Sequence, residues 1–193
     1  MTEPLAGGAS AAPLSMRATA VVASAIVSAA RRLLTDLEQG RRIDAALLRN
    51  AMEAAFGASD ASGAWNWKIA YDSCEAATAL FLRRHGAGMR ATATSPAAML
   101  SMLMRIASLL PTQTRRSEES QALQQFSTPS GLAYVASVAA AITPADVVLE
   151  PSAGTGHLAI FAELAGASLV LNEVAEPRRH SRADISCGFQ HAV

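Results

Sequence analysis

The stretch that most constrains this chain is Val147-Val148-Leu149-Glu150-Pro151-Ser152-Ala153-Gly154-Thr155-Gly156. Its branched apolar start predicts a short buried strand. The small residues behind it predict a tight loop. His157 to Leu164 is apolar enough for a helix packed on that strand, and Gly166 closes it. Ser168 to Leu171 reads as a second strand ending in Asn172-Glu173. Strand, loop, helix and strand in this order form one βαβ unit, with parallel strands. A helix from about Gly131 to Ile142 and the turn Thr143-Pro144-Ala145-Asp146 precede it.

The region ahead of that unit reads as all helical. Residues 1–16, rich in Ala, Gly, Ser and Pro, suit a mobile tail, and a helical unit follows over 17–111. Ala18 to Glu38 suits a first helix, closed by Gly40, and Asp44 to Gly57 frames a second. Trp67, Tyr71, Cys74, Thr78 and Phe81 recur at helical spacing, the stripe of an amphipathic third helix that Gly86 and Gly88 end. Ser95-Pro96 is an N-cap followed by proline at the first helical position, and Pro111 terminates that fourth helix. Trp65, Trp67 and Tyr71 would suit base stacking, but helical spacing without interleaved basic residues favours an aromatic core. Residues 112–124 form a polar linker in which Arg115-Arg116 and Glu118-Glu119 cancel.

Half of the 193 residues are hydrophobic, which permits a sizeable core and excludes disorder throughout. The formal net charge of zero gives no bulk attraction to nucleic acid, although local patches remain open. Cys74 and Cys187 have no CxxC or metal-ligand spacing around them, so two reduced thiols and no metal are expected. The uncharged run between Arg17 and Arg31 falls short of the ~20 apolar residues that a membrane span needs. No basic segment precedes that run, so a cytoplasmic protein without a membrane partner is expected.

The chemistry concentrates in the βαβ unit. Glycines in a strand-to-helix turn let the backbone approach a ligand closely, and the N–H groups behind them suit a carboxylate or phosphate. Glu173 follows Glu150 by roughly 20 residues, the separation at which a strand-end carboxylate binds a ribose diol. The pattern says adenosine-containing cofactor. Gly154-x-Gly156-x-x-Ala159 also satisfies the dinucleotide fingerprint, so an NAD- or FAD-dependent oxidoreductase passes the same test. Two features separate the readings: Glu150-Pro151 stands directly ahead of the glycines, and Gln125-Phe126-Ser127-Thr128-Pro129 feeds the helix before the first strand.

Phe126-Ser127-Thr128-Pro129 resembles motif X of amino-group DNA methyltransferases, Val148 to Gly156 resembles their motif I, and Asn172-Glu173 their motif II. The closer resemblance is to the methylase portion of bacterial strawberry notch-type methylase/helicase proteins, over Arg115 to Glu173, and more loosely over the helices ahead. The resemblance implies an α/β chain: a helical N-terminal unit, then over 125–176 the first part of a Rossmann-like methyltransferase domain that binds S-adenosyl-L-methionine. The parent partner is DNA. Phe126 would pack near the adenine or the sulfonium, with Ser127 beside it. Thr128 and neighbouring N–H groups would hold the methionine carboxylate, and Glu150 would face the amino group. Pro151, Ala153, Gly154 and Gly156 would line the floor, and Glu173 would bind the ribose. His157 is expected as a surface residue at the helix start, not a base.

The chain departs from that family after Glu173. Adenine-N6 enzymes hold the target amine with an Asn/Asp-Pro-Pro-Phe/Tyr motif, and this sequence has no Pro-Pro pair. Residues 177–193 show no strand-helix alternation and read as an irregular tail. The expectation is therefore a truncated methyltransferase that is inactive by itself, with no catalytic residue assigned. The alternative is a non-catalytic or decayed fragment that binds cofactor or a partner.

Overall fold

The computed structural model describes residues 14–112 and 127–174. Residues 1–13 of the tail expected over 1–16, most of the polar linker, Phe126 and everything after Val174 lie outside the described residues, while residues 14–16 of that tail belong to the first helix. The order is α1 (Leu14–Glu38), α2 (Ala45–Phe56), a single 3-10 turn (Asp60–Ser62), α3 (Trp67–Thr92), α4 (Pro96–Ser108), α5 (Ser130–Ala139), β1 (Val147–Glu150), α6 (Ala159–Leu164) and β2 (Ser168–Leu171). The architecture is mixed helical with a small parallel sheet. β1 pairs with β2 from Val147 opposite Ser168 to Glu150 opposite Leu171.

Local chemistry explains most helix boundaries. The Asp44 carboxylate accepts the Leu47 N–H at 2.8 Å, the Asn66 side chain accepts from Ile69 at 3.0 Å, and the Ser95 hydroxyl accepts from Ala98 at 3.1 Å. Each such cap contributes about 1 kcal/mol by satisfying an orphan donor. Gly57 closes α2 at φ +71°, where a Cβ would be strained. α5 stops at Ala139, three residues short of the expected Ile142, because Ala141 turns left-handed at φ +50°. Asp146 then receives the Thr143 N–H and hydroxyl, which lower its carboxyl below the ordinary range and fix the turn into β1. The segment after the glycine loop becomes helical only at Ala159, so α6 is shorter than His157–Leu164.

The third helix departs most from its expected form. It runs through Gly86 and Gly88 to Thr92. Glycine inside a helix costs about 1 kcal/mol relative to alanine. At Gly86 a Cβ would stand 2.6 Å from Leu164 Cδ1, so the missing side chain seats α6 against α3. Nor is α3 amphipathic in its middle, since every residue from Tyr71 to Ala79 is buried. α1 packs along one side, with Ile26, Ala29, Ala30, Leu33 and Leu37 meeting Ala70, Cys74 and Ala77 in one core. Burial pushes the Cys74 thiol pKa well up, consistent with an inert packing role. Trp65 and Tyr71 are buried in this core, with the Trp65 indole N–H donating to Ala58 O at 2.9 Å. The aromatic cluster is thus internal packing, apart from the half-buried Trp67 with Arg49 over its ring.

A second core joins the front helices to the βαβ unit. Leu82, Met99, Leu103, Ala133, Ile160 and Phe161 form one cluster. Arg83 grips Glu163 through two hydrogen bonds of 2.8 and 2.5 Å, and Arg90 donates to Leu164 O at 2.6 Å. The face of β1 carrying Val147 and Leu149 is exposed. Within α1, Ala18–Glu38 has the length and hydropathy of a membrane-crossing helix, more than the uncharged run alone suggests. Its inward side is the one packed on α3.

Candidate functional site

The loop between β1 and α6 is held by its own backbone and by carboxylates. Gly154 (φ +53°) and Gly156 (φ +95°) occupy left-handed conformations that a side chain would strain. The Ala153 N–H donates to Asn172 O at 2.9 Å, and the Gly156 N–H to Ala153 O at 2.8 Å. Asn172 Nδ2 bonds Pro151 O at 3.3 Å. The Glu150 carboxylate folds back to accept the Ser152 N–H at 3.1 Å. The Glu173 carboxylate, at the end of β2, accepts the Gly154 N–H at 2.7 Å. Of the residues singled out in the sequence, Glu150, Pro151, Ala153, Gly154, Gly156 and Glu173 therefore lie together around one loop. Glu173 is 7% exposed. Its bond to Gly154 draws it inward.

Ser127 and Thr128 reach the same loop through two side chains that the sequence reading did not assign there. Ser127 Oγ donates to Glu75 Oε2 at 2.5 Å, and Thr155 Oγ1 donates to the same oxygen at 3.0 Å. His157 is buried, which corrects its expected place on the surface. Its Nδ1 lies 3.2 Å from Thr128 O and its Nε2 lies 3.0 Å from Glu75 O. α3 packs against α6, and Thr155 to His157, which lead into that helix, are buried. Glu75 carries no sequence signal of its own, because its neighbours along α3 are a core stripe.

The arrangement can bind through one backbone turn and several carboxylates. Glu75, Glu150 and Glu173 all direct oxygens at residues of the 127–128 and 152–155 segments. Such a set favours a ligand bearing hydroxyls or positive charge over a polyanion. No group of His, Cys, Asp and Glu among the described residues is arranged to hold a metal ion. No protein-family model, curated protein or solved structure matches the chain.

Proposed function

We propose that the site binds S-adenosyl-L-methionine and that the chain is the cofactor-binding front part of a Rossmann-like DNA adenine-N6 methyltransferase of cytoplasmic location. The observation that carries this reading is the Glu173 carboxylate seated on the Gly154 N–H. In a dinucleotide site the N–H groups of a glycine turn face a pyrophosphate. Here Ser152 and Gly154 give theirs to carboxylates, which would repel phosphate. A ligand with a ribose diol, an ammonium and a sulfonium suits the same groups. Glu173 would take the ribose, Glu150 the methionine amino group, and Thr128 with its neighbours the methionine carboxylate, over a floor of Gly154 and Gly156. When bound, the cofactor supplies a methyl group activated on sulfur; these residues bind and orient it.

S-adenosylmethionine or its demethylated product is expected to bind more tightly than NAD in isothermal titration. Tighter NAD binding would overturn the methyltransferase reading in favour of an oxidoreductase. The 193 residues by themselves are expected to transfer no methyl group to DNA. They carry no Asn/Asp-Pro-Pro-Phe/Tyr segment to align a flipped-out adenine amine, and such alignment supplies much of the rate. A tritiated-methyl transfer assay on adenine-containing DNA checks this, and turnover above background would place catalytic residues elsewhere in the chain.

A further inference from the structure

We infer that Glu75, in the buried middle of α3, is a positioning residue of the candidate site, an inference that rests on the cofactor reading and adds a member to it. Glu75 is 5% exposed. One of its carboxylate oxygens gathers Ser127 Oγ at 2.5 Å, from the segment ahead of α5, and Thr155 Oγ1 at 3.0 Å, from the glycine loop. Its main-chain carbonyl meets His157 Nε2 at 3.0 Å, and the other ring nitrogen reaches Thr128 O at 3.2 Å. One residue of α3 therefore clamps the segment assigned to the methionine carboxylate onto the glycine turn. The clamp stands on a rigid base. α3 is pinned to α1 by the main core and to α6 by Arg83 with Glu163 and by the Gly86–Leu164 contact. Carboxylates buried in this way are held by the donors around them, and removing one such partner frees the others to move. The front helices thus take part in shaping the ligand site.

Hydrogen exchange and titration with S-adenosylhomocysteine on the full chain test this with Glu75→Ala and Glu75→Gln. Glu75→Ala is expected to raise amide exchange at least about tenfold in residues 127–131 and 151–158, to leave α1 and α2 unchanged, and to weaken S-adenosylhomocysteine about tenfold. Glu75→Gln keeps an oxygen acceptor in place and should restore most of the loop protection. Unchanged loop exchange in Glu75→Ala, or an equal rise over α1 and α2, overturns the inference and leaves Glu75 an ordinary core residue. Should Glu75→Ala fail to fold, Thr155→Val decides, since it removes one donor without touching α3. It should loosen residues 151–158 alone, and an unaltered loop counts against the clamp. A wild-type chain that binds no S-adenosylhomocysteine defeats the cofactor reading, while the exchange pattern still judges Glu75. A chain that binds it equally well with and without the Glu75 carboxylate, and with equal loop protection, defeats the clamp alone.

Discussion

Leu82→Ala is expected to cost about 2–5 kcal/mol of stability, the range for deleting a fully buried leucine that leaves a cavity. Leu82 is wholly buried in a cluster that draws on both halves of the molecule: Met99 and Leu103 from α4, Ala133 from α5, Ile160 and Phe161 from α6. The loss should therefore appear in the front helices and in the βαβ unit at once. Urea unfolding checks it with two probes. Trp65 and Trp67, the only tryptophans, report on the front helices. Exchange of the β2 amides reports on the sheet. A common midpoint, lowered equally in Leu82→Ala, is the expected result. If the β2 amides lose protection while the tryptophan midpoint stays put, the shared core does not make one cooperative unit.

Glu173→Ala is expected to weaken S-adenosylmethionine at least about tenfold. A carboxylate that takes ribose hydroxyls makes charge-assisted hydrogen bonds of roughly 1.5–3 kcal/mol each, and ~1.4 kcal/mol is a decade in affinity. The substitution also strips the Gly154 N–H of its acceptor. A fully buried donor left alone costs about 1–3 kcal/mol and the half-buried Gly154 N–H less, so part of the lost affinity would come from a loosened loop. Glu173→Gln separates the two effects. Its amide oxygen can still accept from Gly154, so the loop should keep its stability while the ligand loses a charged partner. Glu176→Ala, three residues further along the chain, is the control and should leave affinity unchanged. Equal behaviour of the Glu173 and Glu176 variants would make Glu173 a structural carboxylate and withdraw the ribose assignment.

What the sequence made legible was whatever has a local cause. Asp44, Ser95 and Gly57 act on atoms a few residues away, and helix boundaries follow from them. The βαβ order was legible for the same reason, because a glycine turn between two branched apolar runs leaves few alternatives. Gly86 has the look of a helix stop in the sequence because its real reason, Leu164, lies far along the chain. Glu75 and His157 were missed for a similar cause. Each faces a partner about 80 positions away, and neither interrupts the apolar pattern around it. The candidate site was therefore visible from its loop side and invisible from the helix that covers it.

The bidentate Arg83–Glu163 grip joins residues 80 apart in the chain. Closing a loop of that length carries an entropy cost that local contacts do not share, and contacts of high sequence separation slow folding. α1 and α3 can collapse on each other as soon as both are made, whereas α6 must be synthesised and brought back before Arg83 can reach Glu163. The order of assembly follows. A nascent chain leaves Glu75 without its Ser127 partner for 52 residues and without its Thr155 partner for 80, so the glycine loop docks late. Interactions made that late mainly govern how fast the native state comes apart, so the Arg83–Glu163 pair belongs to the lifetime of the folded molecule more than to the speed of its formation.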